Sequence, residues 1–303
     1  MLPRSRQLQY LATVAEEGQL TGAAKRLGLA QPALSQAIAG LEDELGVPLL
    51  DRGPRGIALT PAGDAFLTAA RTALAAEDDA LGTAEALARR ERGELTIGFV
   101  GPPPALTAPA LFGAFARRHP EADVSFRDLH FPHGRTSSWL ALVDVAISHA
   151  PRQEAGVRIE LLRSEPRAVV GRRDALPSGV ATLAVADVLD ETFVSYHADV
   201  QPEWAGFHSL DDHRGSTPAN STEDEVRTAL QMLGIMSTDS HAITTFPYAD
   251  AKLVQHAVPE LAVIALSDAD PAAISIAWRG DNENPLIDAL LASAEELAKA
   301  DGV

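Results

Sequence analysis

The sequence predicts a helical head, one long connecting helix and then two α/β lobes. Three observations carry that reading. Apolar residues recur at helical spacing over about the first ninety positions, and the pattern changes at Glu94 to short alternating strands and helices. The length of 303 residues also exceeds one ordinary domain and fits two or three.

The head begins with Leu8, Leu11, Ala12, Val14 and Ala15, a single apolar stripe that ends at Gly18. Leu20, Ala23, Ala24 and Leu27 form a short second helix stopped by Gly28. Pro32 then stands where a helix tolerates proline, in its first turn, and Leu34, Ile38, Leu41 and Leu45 follow at helical spacing to Gly46. Arg52-Gly53-Pro54-Arg55-Gly56 is a turn between two short extended pieces, Leu49-Leu50 and Ile57–Leu59, which together make a wing. Thr60-Pro61 starts the long helix, with threonine as cap and proline in the first position. Its apolar residues repeat every seven positions in two rows, Phe66, Ala73, Ala80, Leu87 beside Leu67, Leu74, Leu81, Ala88. Such a seam packs either on its own domain or on a second copy. No partner element lies nearby in sequence, so self-association is expected.

Beyond Glu94, Leu95, Ile97 and Phe99 alternate as a strand, followed by a helix over about 105–118. Val124 and Phe126 mark a strand, 137–142 a short helix and 143–147 a continuous apolar strand. This βαβαβ order implies a parallel sheet covered on both faces. Strands at 168–170 and 193–196, a helix at 222–233, a strand at 273–277 and a last helix at 285–300 complete a second lobe and a return to the first.

Composition excludes several classes. Hydrophobic residues make up 46% of the chain, enough for real cores, yet no apolar run reaches the roughly 18 residues that cross a bilayer. Met1-Leu2-Pro3-Arg4 opens no signal peptide, so a soluble, cytoplasmic protein with no membrane partner is expected. Cysteine is absent, which excludes disulfides, thiolate zinc sites and thiol redox sensing. The net charge of −17 is unevenly placed: residues 1–60 hold six basic and six acidic groups, and −15 lies beyond residue 93. A neutral head binds DNA if its cations share one face, and an acidic body limits nonspecific adhesion.

One segment is specific. Ala23-Ala24, Leu27, Leu29, Gln31-Pro32-Ala33-Leu34-Ser35, Ile38 and Leu41-Glu42 keep fixed spacing. Glu44-Leu45-Gly46-Val47-Pro48-Leu49-Leu50, Arg52 and Leu59-Thr60-Pro61-Ala62-Gly63 continue the pattern. It closely resembles the helix-turn-helix of LysR-type transcriptional regulators over about the first 70 residues. Beyond that, the likeness rests on architecture and on scattered positions such as Asp144–Ile147 and Glu165-Pro166. The resemblance implies a winged helix-turn-helix over 1–60, a linker dimerisation helix over 61–92 and an effector-binding domain over 93–303. That domain would be of the type II periplasmic-binding-protein kind, with lobe 1 at about 93–165 and 268–303 and lobe 2 at about 166–267. It also implies double-stranded DNA, a small-molecule effector and a homodimer or homotetramer.

The residue chemistry agrees. Ala23 and Ala24 let two helices cross closely, and Gln31, Pro32, Ala33, Ser35 and Gln36 form the face opposite the buried leucines. Glutamine pairs bidentately with adenine, and alanine or proline touches a thymine methyl. Arg52 and Arg55 on the wing would meet phosphates or the minor groove. Outside this frame, the same polar face would read as ordinary solvated surface. Gln36 stands where the family commonly has arginine, and Ala30 where it has a capping hydroxyl, so base preference does not transfer from relatives.

In the resemblance, effectors bind between the lobes, where open α/β sheets also place ligands. Four segments fall there: Phe99 and Gly101 with Pro102–Pro104; Arg135-Thr136-Ser137 at a helix start; Ser195-Tyr196; and Met236 after a strand at Ile235. The prolines remove amide donors, so the Arg135 side is expected to hold an acidic group. A small organic acid or polar aromatic compound is the expected effector, although each segment also fits plain turn or cap chemistry. His208, Asp211, Asp212 and His213 have metal-ligand character, but a hydrated loop is the expected state, with no metal and no cofactor. No catalytic motif is present and no enzyme is expected. Two alternatives remain open: lobes that only assemble oligomers, and a solute-binding or catalytic α/β protein with an accessory helical head.

Overall fold

The structure, a computed structural model, describes residues 4–53, 56–101, 107–131, 136–149 and 153–301. Arg55, Pro102–Pro104 and Arg135 lie outside these residues, as does the side chain of Ser137. The chain divides into two compact units, Met1–Leu81 and Gly82–Val303.

The first unit holds helices α1 (Arg4–Glu17), α2 (Leu20–Leu27) and α3 (Gln31–Leu45), strands β1 (Leu50–Gly53) and β2 (Gly56–Leu59), and the first turns of α4 (Pro61–Arg92). Leu11, Val14, Ala23, Ala24, Leu34, Ile38 and Leu49 form its core, so the apolar stripes read from the sequence meet each other. The two strands pair antiparallel, with Leu50 opposite Leu59, as the wing. Glu42 explains its place in the motif: Oε1 accepts from the amides of Leu49 and Leu50 at 2.7 and 3.0 Å, tying the wing to α3. Thr60 caps α4, its Oγ1 accepting from the Gly63 amide at 2.9 Å.

The second unit carries two lobes. Lobe 1 contains β3 (Glu94–Phe99), α5 (Thr107–Arg118), β4 (Asp123–Asp128), α6 (Thr136–Leu140), β5 (Val145–Ser148) and β6 (Val157–Glu165). Lobe 2 contains β7 (Arg167–Arg172), β8 (Thr182–Leu183), β9 (Thr192–Tyr196), α7 (Pro202–Ser209), α8 (Asp211–Arg214) and β10 (Ser221–Val226). It continues with α9 (Ala229–Thr238), β11 (Ala242–Pro247), α10 (Tyr248–Ala257) and β12 (Leu261–Leu266). The chain then returns to lobe 1 through β13 (Ala272–Arg279) and α11 (Pro285–Asp301).

The sheets run β4-β3-β5-β13-β6 and β10-β9-β11-β7-β12-β8. Both are mixed rather than parallel throughout: β13 runs antiparallel to β5 and β6, and β7 runs antiparallel to β11 and β12. The strands that carry the chain between lobes force this reversal. The helix expected over 222–233 is also corrected. Residues Ser221–Val226 extend the second sheet as an edge strand beside β9, and Thr228 starts the helix later, its side chain accepting from the Gln231 amide at 3.3 Å. Met236 and Ile235 therefore lie inside α9, not at a strand end.

Candidate functional site

On α3, Gln31, Pro32, Ala33 and Gln36 are exposed and Ser35 is half-buried, while Leu34, Ile38 and Leu41 on the other side are buried. The helix thus presents an exposed polar face over an apolar anchor. Ala30 supplies no side-chain cap, and its carbonyl accepts from the amides of Ala33 and Leu34. Arg52, exposed on β1, donates from Nη1 to Ser35 Oγ at 3.2 Å, which places a wing cation against α3. Five of the seven expected contact residues therefore share α3, with Arg52 beside them.

In the second unit, one apolar core runs through both lobes, with Val100, Leu129 and Phe131 from lobe 1 and Trp204, Val226, Met232 and Met236 from lobe 2. Trp204 is its centre and was not singled out in the sequence. It is fully buried, its ring centroid lies 4.4 Å from that of Phe131 and 5.7 Å from that of Tyr196, and its Nε1 has no hydrogen-bond partner among the described residues. Gly101 packs against it with φ of +77°, and a Cβ there would approach Trp204 Cζ2 to 3.3 Å. Tyr196 donates or accepts at Thr244 Oγ1 at 3.0 Å, and burial pushes its hydroxyl pKa up. The structure thus brings Gly101 and Tyr196 to one aromatic cluster.

Of the other expected ligand contacts, Phe99 lines a cleft between the lobes together with Gly101, while Ser195, Met236 and Thr136 do not. Phe99 meets Phe112 edge-on at 5.8 Å and stacks on Phe126 at 6.0 Å. Ser195 takes the opposite face of β9 from Tyr196, and its amide donates to Thr222 Oγ1 at 3.0 Å. Met236 is fully buried within α9, so it is core rather than a cleft wall. The Thr136 amide donates to Glu154 Oε1 at 2.7 Å, so a carboxylate of this chain already holds the seat expected for an effector's acid.

The proposed loop with metal-ligand character is helical instead. His208 lies buried on α7, and Asp211, Asp212 and His213 form α8. Asp212 Oδ2 accepts from Nη1 of the buried Arg167 at 2.7 Å, and that guanidinium lies 4.0 Å over the Phe207 ring. Among the described residues no group of three such side chains is placed to hold a metal ion. His208 makes a different pair: its Nε2 lies 2.9 Å from Nε2 of His149, and its Nδ1 lies 2.5 Å from the Thr245 carbonyl oxygen. A carbonyl only accepts, so His208 Nδ1 carries the proton, its Nε2 accepts and His149 donates. Burial, reinforced by the Arg167 charge, lowers the His149 pKa to about 3, and burial together with His149 drives that of His208 well below its usual range.

Residues 5–64 match the bacterial regulatory helix-turn-helix protein model of the lysR family, and residues 88–299 match the LysR substrate binding domain. The chain belongs to the LysR family. This LysR-type chain is 30% identical over 285 residues to the transcriptional regulator AlsR of Bacillus subtilis (strain 168), covering 93% of itself and 92% of that relative. It is 32% identical over 237 residues to the regulator TcbR of Pseudomonas sp. (strain P51), covering 77% and 81%. Among solved structures, a full-length BenM variant matches with 26% identity and a TM-score of 0.56, covering 98% of this chain and 97% of that one. Full-length CbnR complexed with its target DNA matches with 26% identity and a TM-score of 0.51, covering 96% and 99%. The protein is a LysR-type DNA-binding transcriptional regulator with an effector-binding domain. Among the described residues no helix is long and apolar enough to cross a membrane.

Proposed function

We propose that this regulator reads operator DNA through Gln31, Pro32, Ala33, Ser35 and Gln36, with Arg52 and Arg55 supplying backbone contacts from the wing. One observation carries the reading: α3 exposes this polar face beside Arg52 while its leucines anchor the core. Residues 1–60 act as the reader, 61–92 as the connecting helix and 93–303 as the sensor, in the cytoplasm and without catalysis. Ala73, Ala80, Leu81 and Leu87 are exposed on α4, as a seam awaiting a second copy requires, which supports a homodimer, and the sensor lobes would pair such dimers into a tetramer. A small molecule acts between the lobes, near Gly101 and Tyr196.

A genome-wide footprint followed by gel shifts tests the central claim. Specific retention of footprinted DNA is expected, and discrimination between operator and scrambled DNA is expected to fall for Gln31→Ala. If that variant discriminates as well as the wild type, α3 is not the reader.

A further inference from the structure

A cleft of about 400 Å³ opens between the lobes, at one side of the aromatic core. Lobe 1 contributes Phe99, Gly101 and Phe131, and lobe 2 contributes Leu233, Leu253 and Ala257. Its volume falls in the range of small-molecule sites and its lining is mostly apolar, as such sites are. Among the described residues, the charged or titratable groups that line it are Asp128 and His130.

The polar end is rigidly built. His130 adopts a left-handed φ of +57°, uncommon for a residue with a side chain. Two bonds hold it there: its amide donates to Asp128 Oδ1 at 2.7 Å, and its carbonyl accepts from the Gly101 amide at 3.1 Å. The Asp128 carboxylate is consequently fixed at the edge of an apolar cleft, in a unit that is acidic overall. His130 Nδ1 lies 3.3 Å from Asp128 Oδ2, so the carboxylate has one histidine beside it; an anionic head group would still meet a like charge there, whereas a donor or cation would be attracted.

We propose that this cleft binds a small apolar or aromatic molecule with a neutral or positively charged head, its body between Phe131, Leu233 and Leu253 and its head at Asp128. The inference rests on reading the lobes as a sensor and names the chemistry they sense.

Full-length protein titrated by calorimetry with three ligands that share a phenylethyl body isolates the head group: 2-phenylethanol, phenethylamine and 3-phenylpropionate. The alcohol and the amine are expected to bind, with the carboxylate about tenfold weaker or more. Asp128→Asn is expected to bring the amine down to the alcohol's affinity while leaving the alcohol unchanged. Leu253→Lys, at a half-exposed position, is expected to invert the order and favour the carboxylate. The proposal is overturned if the carboxylate binds the wild type best, or if neither substitution alters the order. It is also overturned if none of the three binds at about millimolar concentration. A Leu253→Lys variant that changes the mass in light scattering, with no ligand effect, would make the cleft an interface between copies. Gel shifts on the same samples keep the two readings apart, because wild-type protein that holds operator DNA but prefers the carboxylate refutes only the ligand chemistry.

Discussion

At the residue scale, the proposed reading gives the exposed face of α3 and its neighbour Arg52 different parts in recognition. On that reading, Gln31→Ala or Ser35→Ala is expected to lower specific affinity by about 1–3 kcal/mol, with little change on nonspecific DNA. Arg52→Ala removes one phosphate-directed cation and is expected to flatten the salt dependence by about one unit. Arg52 also donates to Ser35, so part of the Ser35 effect should appear in the Arg52 variant. Titrations at several salt concentrations separate the two, and a steep, unchanged salt slope for Arg52→Ala would remove it from the interface. In the sensor, Gly101→Ala places a side chain at a left-handed φ and crowds Trp204. Thermal unfolding is expected to show a loss of about 1 kcal/mol or more.

At the element scale, α4 matters at both ends. Leu67 and Phe66 at its start pack on the head, but Ala80 is exposed in the single chain, so Ala80→Glu leaves the chain's own packing intact and strikes only pairing with a copy. A charge buried there without a partner costs several kcal/mol, enough to yield a monomer by light scattering and to abolish operator binding. The last turns of α4 are strapped to lobe 1. Gly82 approaches Ala141 so closely that a Cβ would lie 2.4 Å from its carbonyl oxygen. Arg89 Nε donates to buried Asp144 Oδ2 at 2.9 Å, and Asp144 also accepts from the Thr96 amide and from Asn282. Arg89→Ala strands that carboxylate and is expected to cost about 3–5 kcal/mol in urea denaturation. Arg90→Ala breaks only the exposed pair with Glu283 and should cost under about 1 kcal/mol.

At the scale of the whole molecule, the pair His149–His208 joins lobe 1 to lobe 2 in neutral form. Folding depresses both pKa values, so the unfolded chain takes up protons first as pH falls. Stability from this pair is complete above the ordinary histidine range near 6.5 and is lost progressively as pH drops toward 3. The second unit is therefore expected to unfold in acid. Replacing both histidines by phenylalanine should flatten that slope between pH 6.5 and pH 4, as followed by near-ultraviolet dichroism. An unchanged slope would mean that other groups set the acid transition.

The sequence by itself determined the reader almost completely. Its helices are local, each stripe of leucines and alanines meets a neighbour close in sequence, and Gln31, Ser35 and Arg52 stand at fixed spacings on elements that such patterns specify. The lobes are different. Strand β10, with its run Thr222-Glu223-Asp224-Glu225, carries no strong alternating pattern, and only pairing beside β9 makes it a strand. Trp204, His149 and His208 come from separate segments, and no spacing announces that they meet. Glu154 reaching the Thr136 amide, Met236 sinking into the core and Asp128 fixed at a cleft edge are also products of long-range packing. Tertiary structure decided these points, because a ligand site between lobes is made by strands and helices far apart in the chain, whereas the reader's face is written along a single helix.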